Sequence, residues 1–189
     1  FYDRAWQGWE AITRILAAKT QQRGRTVLVI DCYPGVRMTE LEENVLPRLR
    51  PALTINVEQA RQDERAIHEM LARNLTDDRV FGVLSCHQLG EFFDSARLEA
   101  LRNQVHQCPE GLFVIYGPGA ALVHPGDVLA YADLPRWEIQ QRMRSGETGK
   151  WGAGNKQEEM RRRYKRAFFA EWRVFDRHKT PLLRRADFL

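Results

Sequence analysis

The chain has 189 residues, 43% of them hydrophobic, and a formal net charge of +4. This length and apolar content fit one domain with a sizeable core, argue against global disorder, and include no run near the roughly 18 apolar residues of a membrane span. The charge is uneven: residues 1–135 hold 14 Lys/Arg against 18 Asp/Glu, a balance of −4, and residues 136–189 hold 15 against 7, a balance of +8. A basic tail of this kind suits nucleic acid, an anionic small molecule, or the acidic part of the same chain.

Taken in order, residues 2–21 show helical spacing, with Trp6, Trp9, Ile12 and Leu16 favouring one face. Thr26–Ile30 is a short continuous apolar run, the pattern of a strand buried on both faces. The turn Cys32-Tyr-Pro-Gly-Val36 follows, then a helix from Thr39 to Leu46 that Pro47 should stop. Leu53–Val57 reads as a second strand, 58–74 as a polar helix, 76–94 as mixed, and 96–107 as a helix with Leu98, Leu101 and Val105 on one side. Leu112–Tyr116 and Val128–Ala132 are further strands, closed by Gly117-Pro118-Gly119 and Asp133-Leu134-Pro135. A helix over 134–144, a glycine-rich loop over 145–155 expected to be mobile, and a long helix over 156–178 complete the chain. Strands alternating with helices predict an α/β domain with a mostly parallel sheet flanked by helices. The expected division is an N-terminal helix (1–23), a core (24–135), and a lid with the C-terminal helix (136–189). Ligands in such sheets bind beyond the carboxyl ends of the strands, here Asp31–Gly35, Tyr116–Gly119 and Asp133–Arg136.

One segment invites comparison with a phosphate-binding loop, which runs strand, G-x-x-x-x-G-K-[ST], helix. Laid on Cys32-Tyr-Pro-Gly-Val-Arg-Met-Thr39, the template keeps Gly35 and the Thr39 hydroxyl. Cys32 replaces its first Gly, Arg37 the second and Met38 the Lys. The loop is degenerate: it has lost both flexibility and the clamp on the terminal phosphate. A helix N-terminus would still favour an anion, with Arg37 supplying charge, and a plain strand–turn–helix connection is the competing reading.

Four segments in order resemble the uridine-kinase-like branch of P-loop kinases: Val29–Thr39; His87–Asp94 with Ala96–Leu101; Leu112–Leu122; and Val128–Glu138 through Arg142-Met-Arg144. The resemblance spans about residues 24–189 and implies a P-loop nucleoside-kinase-like fold with arginines on a lid. Tyr116 stands where that family has an acidic residue, so a Lys and a carboxylate of the transfer apparatus are missing together. Further stretches, Leu75–Gly82, Tyr116–Leu122, Ala132–Arg142 and Tyr164–Lys179, resemble the kinase-like region fused to bacterial class I mannose-6-phosphate isomerases. That resemblance implies an accessory or regulatory domain. Its partner would be a cupin-type isomerase domain outside this chain, which would hold the zinc and the isomerase activity. The alternative is an active small-molecule or nucleoside kinase with an atypical loop.

The candidate ligand groups are Gly35, Arg37 and Thr39 in the turn, joined by Arg142, Arg144, Arg162 and Arg166, for a nucleotide or phosphate anion. Asp31 is the candidate base or Mg²⁺-water holder, with helix capping as its structural alternative. Capping is expected of Asp94 and Asp133, and a loop role of Asp77-Asp78. Met160, Tyr164, Phe168, Trp172 and Phe175 predict an apolar stripe on the last helix, with Arg161–Arg163, Lys165 and Arg166 on a solvated or salt-bridged face. Lys150-Trp151 reads as a disordered loop tip, with closure over a ligand as the alternative. The three cysteines, Cys32, Cys86 and Cys108, are an odd number and read as reduced thiols. A zinc site from Cys86-His87 and His106-x-Cys108 is disfavoured, because adjacent side chains diverge. Phe1-Tyr2-Asp3-Arg4 has no leader character, which gives the expectation of a cytoplasmic protein. The absence of an initiator Met suggests a piece of a longer chain. No membrane association is expected, and nucleic acid is an unlooked-for partner without a reader motif.

Overall fold

The computed structural model describes residues 5–21, 24–107 and 109–189; Cys108 and the ends of the expected 1–23 helix lie outside that set. Four strands, β1 (Arg25–Cys32), β2 (Leu53–Asn56), β3 (Gly111–Gly117) and β4 (Val128–Ala132), form one sheet in the order β2-β3-β1-β4. Every pairing is parallel, with Val29 opposite Ile115 and Leu129 in the middle strand. The predicted α/β architecture is the observed one.

Alternation along the strands builds two cores. Val27, Val29, Ile55, Phe113, Ile115 and Leu129 face one layer of helices, while Leu28, Ile30, Cys32, Val114, Tyr116 and Val128 face the other. The second layer holds α1 (Trp9–Thr20), α2 (Met38–Asn44) and α3 (Leu46–Leu49). The first holds α4 (Glu64–Leu75), α5 (Ser95–Gln107) and the C-terminal helices. Because the central strand is covered on both faces, its sequence is apolar throughout rather than alternating.

Several boundaries differ from the sequence expectation for local reasons. The first helix starts at Trp9, not residue 2, because Gly8 adopts φ 82° ahead of it. Pro47 does not simply stop α2: it sits in the first turn of α3, where its missing N–H costs nothing. The expected 58–74 helix is two pieces, a 3-10 turn Val57–Ala60 and α4, whose first turn is capped by the Asp63 carboxylate accepting from Ala66 N–H at 2.8 Å. Asp94 caps α5 by accepting from Arg97 N–H at 2.8 Å, as expected of it.

The last helix departs most from a simple period. After α6 (Arg136–Arg144) and the glycine-rich segment, α7 (Met160–Arg166) runs into a π turn, Ala167–Glu171, and then α8 (Trp172–Leu183). The wider turn rotates the register. Phe168, expected in the apolar stripe, is exposed, while Trp172 and Phe175 stay buried. Arg163, Lys165, Arg166 and Glu171 turn inward instead. The basic face predicted to be solvated is therefore largely buried. This register predicts that Phe175→Ala costs about 3–5 kcal/mol whereas Phe168→Ala stays within about 0.5 kcal/mol of the parent, a contrast that urea unfolding of the two variants measures.

Candidate functional site

The loops after β1, β2 and β3 meet at the carboxyl edge of the sheet and border a cleft of about 670 Å³. The β1 turn contributes Pro34, Gly35, Arg37 and Thr39, and the segment after β2 contributes Glu58, Arg61 and, from α4, Glu64. The glycine-rich segment contributes Lys150 and Trp151, and the π turn contributes Glu171. A larger groove of about 1100 Å³ lies along α1 and β4, lined mainly by apolar groups such as Trp6, Trp9, Ile12 and Leu41. The smaller cleft gathers the polar chemistry.

Inside the β1 turn two N–H groups and one carbonyl are spent on the protein itself. Tyr33 N–H donates to Ala132 O at 2.9 Å and Val36 N–H to Tyr33 O at 3.2 Å. The Gly35 carbonyl accepts from Arg142 Nη1 at 2.8 Å, so Arg142 does come to the turn, as a donor to its backbone, with its Nε held by Glu138 at 2.8 Å. Gly35 has φ 98°, and a Cβ there would lie 3.3 Å from Leu134 Cδ2, so glycine serves the turn's shape and its packing on the start of α6. Tyr33 is buried and donates to Asp176 Oδ1 at 2.9 Å; burial and then the Asp176 charge push its hydroxyl pKa upward. The following helix α2 has only seven residues, too short for the aligned dipole that would draw an anion.

Arg37 points outward. It pairs with Glu147 at 2.6 Å and Glu40 at 2.9 Å, and these hydrogen bonds raise its pKa while the Arg37 bond holds Glu147 below the usual carboxylate range. Thr39 is exposed. Arg144 donates to Tyr164 Oη at 3.0 Å. Arg162 and Arg166 line a different cavity, against α4 and the 76–78 loop. The structure thus brings Gly35, Arg37, Thr39 and Arg142 together and leaves Arg144, Arg162 and Arg166 elsewhere, because the α7 face bearing the last two packs toward α4 rather than toward the β1 turn.

Asp31 is fully buried. Its carboxylate accepts from Ala121 N–H at 2.8 Å and Gly119 N–H at 3.4 Å and contacts His178 Nε2 at 3.0 Å. It neither caps α2 nor faces the cleft; it ties β1 to the turn after β3 and to α8. Asp133 pairs with Lys179 rather than capping α6, whose N-cap is Pro135. Asp78 holds its own loop, accepting from Val80 and Phe81 N–H at 2.7 and 2.6 Å. Tyr116, in place of the family's acid, donates to Glu42 Oε1 at 2.7 Å; burial, then this bond, leave its pKa pushed up to about 12.

Sequence reasoning missed Glu171 and favoured a disordered tip for Lys150 and Trp151 over closure on a ligand. The segment expected to be a loose tip is docked: Lys150 is 4% exposed, and its Nζ lies 3.4 Å from Glu171 Oε2. Trp151 packs edge-on to Phe175, with ring centroids 5.1 Å apart, and donates from Nε1 to Glu58 Oε1 at 2.6 Å. The glycines of the segment were the available signal: Gly152 has φ 64°, and a Cβ there would sit 2.8 Å from Ile67 Cδ1, so the loop is shaped for close docking, not looseness.

The model of the family described as "Domain of unknown function (DUF8485)" matches residues 8–189. The chain belongs to that family. Among curated proteins none matches. Among solved structures the chain resembles the crystal structure of a "putative fructose transport system kinase" from Silicibacter sp. TM1040, at 14% identity, TM-score 0.51 and 97% coverage of both chains. At that identity the likeness concerns the fold, which is kinase-like. Among the described residues no helix is long and apolar enough to cross a membrane.

The position of Asp31 predicts that Asp31→Ala destabilises the DUF8485 domain by about 1–3 kcal/mol or more, since the change leaves the partly buried His178 and two amides without their acceptor; chemical denaturation reads this directly.

Proposed function

We propose that this DUF8485 chain is a kinase-fold domain that does not transfer phosphoryl groups from ATP and acts as an accessory, regulatory unit of a sugar-phosphate protein. One observation supports the reading above the others. Where a phosphate loop has its lysine, the β1 turn has Met38, and both nearby arginines are engaged, Arg142 on the Gly35 carbonyl and Arg37 on Glu147 and Glu40. A nucleoside triphosphate with Mg²⁺ does not fit that donor set. Four carboxylates, Glu58, Glu64, Glu147 and Glu171, share the cleft with Arg37, Arg61, Lys150 and Lys156, and three of those cations are already paired, Arg37 with Glu147, Arg61 with Glu58 and Lys150 with Glu171.

The isomerase context rests on the sequence stretches that resemble the region fused to mannose-6-phosphate isomerases; neither the family model nor the structural neighbour bears on it. In that context the cupin-type domain outside this chain supplies the chemistry, and this domain supplies a folded surface and a ligand pocket.

A second reading, an active kinase with an atypical loop, draws on Lys150. It is a lysine buried at the cleft, and a ligand phosphate displacing Glu171 would give it the role of the missing loop lysine. The two readings part in one assay. Incubated with Mg²⁺ and γ-labelled ATP, the chain should transfer no label to nucleosides or hexoses. Turnover on the order of 1–100 s⁻¹, lost in Lys150→Met, would replace the accessory reading with the kinase one.

A further inference from the structure

Buried charges are ordinarily paired, because an ion taken out of water without a counterion costs several kcal/mol. Two adjacent cations on α7 break this pattern. Arg166 is 6% exposed, and its one hydrogen bond among the described residues is a long one, Nη2 to Gly152 O at 3.4 Å. Lys165 is equally buried, and its Nζ donates only to neutral oxygens, the Thr76 carbonyl and hydroxyl at 3.3 Å and the Asp78 carbonyl. Neither makes an ion pair among the described residues. Burial depresses the Arg166 pKa, and Glu171, Glu158 and Glu64 oppose this only through space.

Both side chains line one cavity of about 360 Å³ between α7, α4 and the 76–78 loop, with Arg162 and His68 at its wall. That size is within the range of small-molecule sites. Three carboxylates also border it, and each is accounted for. Asp78 accepts from the N–H groups of Val80 and Phe81 and meets Lys165 only through space. Glu158 accepts from the Asn155 amide at 2.7 Å, and Asp77 is exposed on the loop. Arg162 is exposed and makes no hydrogen bond among the described residues, so its planar donor fork is available to an incoming oxyanion.

We propose that this cavity is a site for a phosphate monoester, its phosphate held by Arg166, Lys165 and Arg162 and its organic part lying toward His68 and the 76–78 loop. The site lies across the Gly152–Gly154 wall from the β1 turn, and it holds whether or not the cleft supports phosphoryl transfer. A dianion supplies the ion-pair partner that the two buried cations lack, and its several oxygens match the unfilled donors of Arg166 and Arg162.

The test is calorimetric titration of the whole chain at low salt with inorganic phosphate and with glucose 6-phosphate. Both should bind, the ester more tightly, with affinity falling as salt rises. Arg162→Gln, on an exposed residue, leaves folding intact and should weaken binding roughly tenfold to a hundredfold, the loss of one charged hydrogen bond. Arg166→Lys should weaken it further if it folds; circular dichroism shows whether it does, and Arg162→Gln decides the matter alone if it does not. Absence of heat with either anion on folded protein, or unchanged affinity in Arg162→Gln, overturns the proposal. Loss of binding in Arg37→Gln with Arg162→Gln unaffected overturns it as well, by moving the anion to the β1 turn.

Discussion

The carboxylate of Asp31, at the end of the central strand and out of contact with water, holds three parts of the chain at one point: β1, the turn after β3, and α8 through His178. A charge there is tolerated only because N–H donors and an imidazole converge on it. Once α8 is pinned to the carboxyl edge of the sheet, the π turn ahead of it is placed under the cleft, and Glu171 with it. Glu171 accepts from Trp151 N–H at 3.1 Å and faces Lys150, so the glycine-rich segment docks where the helix has been fixed. The turn after β1, the lid segment and the last helix are therefore one assembly, and the geometry of the cleft follows from a single buried acid.

That assembly sets the shape of the turn after β1. A phosphate loop must stay open and glycine-rich so that N–H groups face a ligand. Here Tyr33 fills the core and reaches Asp176, Arg142 crosses to the Gly35 carbonyl, and Glu147 comes down from the lid onto Arg37. The protein's own groups thus close on the turn from three sides. The Arg37 pairs are exposed and individually weak; the closure draws its strength from the buried Tyr33 and the Gly35–Ile139 packing.

How much of this was legible in the sequence depends on the range of the interactions. The strands were legible because a doubly covered strand must be continuously apolar, and Thr26–Ile30, Leu112–Tyr116 and Val128–Ala132 are. The kinase-like order of segments was legible as well. What escaped were features set by contacts distant in sequence. A 3.6-residue period laid over 156–178 put Phe168 in the core, because nothing local announces the π turn at Ala167–Glu171. A glycine-rich stretch reads as mobile unless one knows that Ile67, Phe175 and Glu58 wait to receive it. Asp31 had the composition of a catalytic acid, and only the approach of Gly119, Ala121 and His178 shows that it is a fastener.

The charge asymmetry of the chain takes on meaning in the same terms. If the basic tail existed to neutralise the acidic first part, its cations should pair with carboxylates of residues 1–135. Among the described residues the pairs that cross the boundary mostly run the other way: Lys19 with Asp187, Arg37 with Glu147 and Arg79 with Glu159 are cations of the first part meeting acids of the tail. Only Lys179 with Asp133 and His178 with Asp31 reverse the direction. Three more tail acids, Asp176, Glu138 and Glu171, meet cations of the tail itself, Arg136, Arg142 and Lys150. Arg162, Lys165 and Arg166 enter none of these pairs, and folding gathers them around one cavity, where an anion from outside the chain is suited to meet them.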